Sequence, residues 1–162
     1  MKHPHLSTAD RTYHIVDIEN LCQSGAPSSQ EVHWALADYA KAVSMGETDQ
    51  GRAAMSYSQE KNHLYELPHQ LRWVVSRSGP DAADNALLQD CDPGLLSRCF
   101  KRVVIATGDH RFAGLAAELR TRGVEVVVAG ITGSISGMLA AQAERVIELP
   151  TPIREPTLVG VA

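Results

Sequence analysis

The sequence predicts an α/β fold, a three-layer α/β/α sandwich around a central parallel sheet, and three observations carry that expectation. Short, nearly unbroken runs of β-branched and aliphatic residues recur along the chain, as in strands buried on both faces of a parallel sheet. Segments with apolar residues at helical spacing separate those runs, which fits right-handed β-α-β crossovers. Acidic residues also sit just past the run ends, at Val16-Asp17-Ile18-Glu19-Asn20, Gly79-Pro80-Asp81-Ala82-Ala83-Asp84 and Thr107-Gly108-Asp109. In a parallel sheet those ends lie side by side, at the carboxyl edge where ligands bind.

Taken in order, residues 1–11 read as a flexible tail, and 12–18 as the first buried strand through Tyr13, Ile15, Val16 and Ile18. A Gly-Ala-Pro-Ser-Ser loop follows, with Ser29 as a helix cap. Val32, Ala35, Leu36, Tyr39 and Val43 then recur at helical spacing over 30–45. After a polar break at 46–51, residues 52–57 read as a second strand, 59–66 as a short helix stopping before Pro68, and 71–76 as a third strand. A helix is predicted over 82–90, and one further helical turn after Asp92-Pro93-Gly94. Residues 103–106 form the next strand, and 110–122 a helix with Phe112, Leu115, Ala116 and Leu119 on one face, stopped by Gly123. Residues 124–129 read as the fifth strand, 134–143 as a helix after a Gly/Ser loop, and 145–149 as a final short strand. The Pro-containing stretch 150–162 reads as a second flexible tail, so a single domain over 12–149 is expected, without internal repeats.

A chain of 162 residues is long enough for one hydrophobic core. Its net charge of −4 and pI of about 5.9 argue against retention on nucleic acid by bulk basicity. They leave a nuclease open, because an acid cluster at a metal site contributes negative charge that the metal masks. Cys22, Cys91 and Cys99 make no CxxC pair and leave one over in any disulfide scheme, as expected for reduced cytosolic thiols. His3 and His5 are read as part of a surface tail. No apolar stretch approaches the roughly 18 residues of a membrane span, and the first ten residues lack the apolar region of a signal peptide. A cytoplasmic location is expected.

Asp17, Asp81, Asp84 and Asp109 are the residues that point to chemistry. Gathered at one sheet edge, like-charged carboxylates about 5 Å apart at an effective dielectric of about 20 repel by roughly 3 kcal/mol per pair. A divalent cation or shared protons must neutralise such a cluster, which points to metal-dependent chemistry on phosphate esters. Each acid also has a plainer reading. Asp17 and Asn20 suit any turn, Asp81 with Asp84 three residues later suits the cap of a helix N-terminus, and Asp109 can cap the helix after it. Ser134 and Ser136 either cap the later helix or donate to phosphate. Arg77, His110 and Arg111 lie near the same edge and either hold a phosphate backbone or are solvated surface. Glycine-rich phosphate cradles, a GxSxG elbow and zinc-ligand spacings do not occur in the sequence. The aromatic content of 5% offers little for stacked bases.

In order and strand context, His14-Ile15-Val16-Asp17-Ile18-Glu19-Asn20, Ser78-Gly79-Pro80-Asp81-Ala82-Ala83-Asp84 and Val104-Ile105-Ala106-Thr107-Gly108-Asp109-His110-Arg111-Phe112 resemble the NYN family of PIN-like nucleases. The resemblance spans about residues 12–149 and includes the strand at 123–128 with the Ser-containing turn after it. It implies a Rossmannoid, PIN-like α/β/α sandwich and Mg²⁺- or Mn²⁺-dependent cleavage of RNA, with Asp17, Asn20, Asp81, Asp84 and Asp109 as the implicated residues. Many members carry a further Asp two places after the one matching Asp109, in a Ser-Gly-Asp-x-Asp-Phe motif. Here those places hold Arg111 and, for the Ser, Thr107. That exchange either weakens metal binding or helps grip the scissile strand.

The expected function is therefore a metal-dependent endoribonuclease. Asp17, Asp81, Asp84 and Asp109 would hold one or two Mg²⁺ or Mn²⁺ ions, and Asn20 would orient Asp17 or the attacking water. Arg77, His110, Arg111 and Ser134 would contact substrate. The alternatives are a degenerate PIN-like module that binds RNA or a protein partner without cutting, and a small-molecule phosphatase sharing the acid edge. Pairing with a second copy is a further expectation from the resemblance.

Overall fold

A computed structural model describes residues 11–56, 66–74 and 81–156. Its centre is a six-stranded sheet in the order β3-β2-β1-β4-β5-β6, with every neighbouring pair parallel. The strands are β1 (Thr12–Asp17), β2 (Gln50–Ala54), β3 (Leu71–Trp73), β4 (Arg102–Ala106), β5 (Glu125–Ile131) and β6 (Arg145–Leu149). Between them lie helices α1 (Ile18–Cys22), α2 (Ser29–Ala42), α3 (Ala82–Asp90), α4 (Pro93–Cys99), α5 (Ala113–Thr121) and α6 (Gly137–Ala140), with a 3₁₀ turn at His110–Phe112.

Alternation along each strand fills two cores. Ile15, Val103, Ile105, Val126 and Val128 pack on one face under Leu87 of α3, Leu96 of α4 and Leu115 and Leu119 of α5. Val16, Val104, Val127 and Ala129 face the other way, under Ile18 and Leu21 of α1 and Val32, Leu36 and Tyr39 of α2. This is the expected three-layer α/β/α sandwich of PIN-like type. Because successive side chains of a strand point to opposite faces, a strand covered on both sides must be apolar throughout. That is why these runs were readable.

Several boundaries differ from the sequence expectation, each for a local reason. The first strand ends at Asp17, one residue early, because the Asp17 carboxylate accepts from the Asn20 amide at 3.1 Å and starts α1. Ser28, not Ser29, caps α2. Its hydroxyl accepts from the Glu31 amide and the Glu31 carboxylate accepts from the Ser28 amide, a reciprocal capping box. The second strand runs over Gln50–Ala54 rather than 52–57, in register with Tyr13–Asp17 of β1. The predicted turn after Asp92 is a seven-residue helix, with Pro93 in its first turn and Asp92 accepting from the amides of Gly94 and Leu95. The helix expected over 110–122 is broken into the 3₁₀ turn and α5. The one expected over 134–143 shrinks to α6, where Ser136 holds the N-cap position without a side-chain cap bond. Most of the helix expected over 59–66, and the end of the strand expected over 71–76, lie outside the described residues. After β6, Arg154 donates to the Gln23 carbonyl at 2.7 Å and pairs with Glu31 at 3.6 Å.

Candidate active site

Chain order fixes where the site lies. From β1 the chain moves outward to β2 and β3, then returns to the far side of β1 as β4. The carboxyl ends of β1 and β4 therefore flank the switch point of the sheet, where neighbouring connections leave in opposite directions and a crevice opens. Asp17 is the last residue of β1, and Thr107-Gly108-Asp109 follow β4.

The segment after β4 is fastened on all sides. Asn20 Oδ1 accepts from the Gly108 amide at 3.0 Å, and the Gly108 carbonyl accepts from the Ser136 amide at 2.8 Å. A Cβ on Gly108 would stand 2.2 Å from the Ser134 carbonyl oxygen, so only glycine fits this approach. Thr107 is fully buried; its hydroxyl donates to Asp17 Oδ2 at 3.0 Å and accepts from the Asp109 amide at 3.2 Å. Asn20 therefore steadies the β4 loop with its side chain, whereas its backbone N–H is what meets Asp17.

A cavity of about 200 Å³ at this point is lined by Asp17, Glu19, Asn20, Ser56, Asp81, Asp84 and Asp109. All five residues implicated by the sequence motifs thus face one space. Within it Asp17 is 5% exposed, and Asp84 lies within hydrogen-bonding reach of both Asp17 and Asp109. Burial first, and then the charge of Asp17, push the Asp84 carboxyl up to about 8. Burial likewise raises Asp17, against the bonds from Asn20, Asp84 and Thr107 that lower it. Two carboxyl groups can share a hydrogen bond only if one carries a proton, so these acids demand protons or a cation between them.

Asp81 stands apart from that inner group. It adopts a left-handed backbone (φ 58°) at the N-cap of α3 and makes no side-chain cap bond, so the capping arrangement expected of Asp81 and Asp84 is not formed. Its Oδ1 instead receives Arg111 Nη1 at 2.7 Å, and the same nitrogen lies 3.5 Å from Asp84 Oδ2. The guanidinium holds the Asp81 carboxyl below the usual carboxylate range. Asp109 caps the 3₁₀ turn as expected, accepting from the Arg111 amide at 2.9 Å, with His110 Nδ1 at 3.3 Å.

Of the proposed substrate contacts, His110 and Ser134 line a second cavity of about 380 Å³ that shares Asn20 and Asp109 with the first. The Ser134 hydroxyl donates to the Ile131 carbonyl at 2.8 Å, so it neither caps α6 nor keeps its proton free for phosphate. Arg77 lies outside the described residues. Ser56, whose amide donates to Glu19 Oε1 at 2.6 Å, was not singled out from sequence. Its only signal is its place just past a strand end. A larger cavity, about 580 Å³, opens at the amino ends of β1, β2 and β3 among Arg11, Arg52 and Arg72. Its buried acid, Asp49, is already bound to His14 Nε2 at 2.9 Å and to the amides of Thr12 and Gly46. The acidic cavity, although the smaller one, is therefore where the residues implicated by the sequence motifs converge.

A parallel sheet of this order, with acids at its switch point, has the PIN-like nuclease fold. The NYN domain profile matches residues 14–150, and the chain belongs to that family, part of the PIN-like nuclease superfamily. A crystal structure of a protein of unknown function from Vibrio parahaemolyticus is similar in fold, with a TM-score of 0.56 at 17% identity over 91% of this chain and 96% of that one. No curated protein matches the sequence. No helix among the described residues is long and apolar enough to cross a membrane.

Proposed function

We propose that this chain is a Mg²⁺- or Mn²⁺-dependent endoribonuclease that hydrolyses RNA phosphodiester bonds at the carboxyl edge of its sheet. The observation supporting it is Asp84 lodged against both Asp17 and Asp109 in a water-accessible cavity. The donor set is all carboxylate oxygen, which suits hard divalent ions. Among the described residues no three His, Cys, Asp or Glu side chains form a ready-made cage for an ion. Mg²⁺ keeps several waters and takes one or two carboxylates directly plus substrate phosphate, so some of these acids would act through water. Asp17, Asp84 and Asp109 are the proposed holders, with Asp81 acting through water at the mouth. A bound divalent ion supplies an activated water and offsets charge developing on the phosphate. Asn20 and Thr107 keep the loop after β4 and the Asp17 carboxylate in fixed relation, so the holders need not reorganise when substrate arrives. His110, Arg111 and Arg77 are the proposed contacts to the RNA, and Ser134, its proton committed to the Ile131 carbonyl, could join them only as an acceptor. The three cysteines are free, in keeping with a reducing cytoplasmic setting.

The test is purified chain with labelled single-stranded and structured RNA, in Mn²⁺ and in EDTA. Internal cleavage should require Mn²⁺ and fall at least a hundredfold in Asp109→Asn. Cleavage that survives both EDTA and this substitution overturns the reading. The Arg111–Asp81 ion pair supports a second reading, a module that binds RNA or a protein partner without cutting. RNA retained in a gel shift yet left intact under every metal condition would favour it.

A further inference from the structure

We infer that Arg111 is a resident cation of the acidic site, neutralising Asp81 and Asp84 as a second divalent ion would, so that each chain holds one such ion rather than two. The inference rests on the metal-dependent reading above. One guanidinium nitrogen spans Asp81 Oδ1 at 2.7 Å and Asp84 Oδ2 at 3.5 Å. The backbone beneath it is pinned, because the Arg111 amide donates to Asp109 Oδ1 at 2.9 Å. Arg111 is therefore held to the site at both ends of its side chain.

These contacts divide the acids. The outer pair, Asp81 and the near oxygen of Asp84, belongs to the guanidinium; the Asp81 side chain is 49% exposed and that of Arg111 35%. Asp17 and Asp109 are deeper and take no arginine or lysine side-chain contact among the described residues, whereas Asp84 stands between the two groups, its Oδ2 3.5 Å from the same guanidinium nitrogen. A divalent ion among Asp17, Asp84 and Asp109 would meet the guanidinium at one oxygen of Asp84 and otherwise carboxylate oxygens free of arginine. An ion seeking the outer pair must displace a cation whose charge no accessible pH removes, and would then sit beside it. The guanidinium also offers N–H donors that a metal ion lacks, and these can meet a phosphate oxygen at the mouth of the cavity. Arg111 thus combines the neutralising part of a second ion with a directional grip on substrate.

Counting bound Mn²⁺ tests this without reference to turnover, by electron paramagnetic resonance or calorimetry on the intact chain. Wild type should bind one Mn²⁺. Arg111→Ala, or Arg111→Gln if alanine impairs folding, should bind two, and adding Asp81→Asn to either should return the count to one. Arg111→Lys keeps the charge and should stay at one. Two ions bound by wild type overturn the inference, as does a single ion in both charge-removing variants. RNA cleavage by the same samples separates the failures. A wild type that cuts RNA while binding two ions leaves the nuclease standing, whereas one that binds no ion removes both.

Discussion

Asp84 is the residue whose surroundings make the sharpest demand. Its carboxyl, ordinarily near 3.8, is pushed up to about 8 by burial and by Asp17. An acid with a raised folded-state pKa favours the folded state below the unfolded value, where it is protonated in both states. That contribution is lost as pH rises from about 3.8 through about 8, because the unfolded chain ionises first. Asp84→Asn should therefore melt higher than wild type in EDTA at pH 7, by roughly 1–3 kcal/mol after allowing for partial solvent access. The difference should vanish near pH 4, and Mn²⁺ should stabilise wild type more than the variant. Thermal melts across this pH range, with and without Mn²⁺, provide the check; an asparagine variant weaker at every pH would mean that no repulsion is being relieved. Thr107 lies on the opposite side of the same balance. Thr107→Val removes the hydroxyl that donates to the buried Asp17 carboxylate, and should cost about 1–3 kcal/mol at neutral pH. Sequence displayed these acids but not their pairing. Asp81 followed by Asp84 looks like a helix cap, and only a partner thirty residues later, Arg111, shows that the Asp81 side chain leaves the helix end.

Among the elements, legibility followed burial. Strands covered on both faces, such as β4 and β5, carry their signal in each residue, and the sequence placed both within two residues of their ends. Elements that depend on distant partners were misjudged. α6 starts only at Gly137 because the Ser136 amide is committed to Gly108, and the loop before it wraps the β4 turn instead of winding into helix. Two substitutions separate support of the fold from support of the site. Ser28→Ala breaks the capping box of α2 and should cost about 1 kcal/mol of stability with cleavage by the folded fraction unchanged. Gly108→Ala forces a Cβ against the Ser134 carbonyl oxygen, so the Asn20–Gly108–Ser136 tie must yield and Asp109 must move with it. It should lower kcat for RNA at least tenfold, even where chemical denaturation shows a folded protein. Equal activity in Gly108→Ala and wild type would show that the loop has slack where the geometry shows none.

For the whole molecule, the strand order decided where the acids meet, and strand order is not written in any one segment. Alternation of strands and helices implied a parallel sheet, but the return of the chain beside β1 at β4 is set by how all the layers cover one another. Residues 17, 81, 84 and 109 converge only because of that return. The same molecule carries a net charge of −4, and among the described residues Arg111 and His110 are the basic groups that pair with the acids of the cavity. RNA at the proposed site would therefore meet a surface that repels it overall and attracts it at few points. Affinity for single strands falls with salt at a slope of about −0.7 per neutralised phosphate. With about two such contacts, log K should fall against log salt with a slope of roughly −1 to −2 in Mn²⁺. EDTA should weaken RNA binding as well as cleavage, since the exposed acids then face phosphate unmasked. Fluorescence anisotropy of labelled RNA over a NaCl series, in Mn²⁺ and in EDTA, measures both. A slope near −5 that is indifferent to EDTA would place the RNA on a broad basic surface away from the aspartates, and would detach substrate binding from the site proposed to cut it.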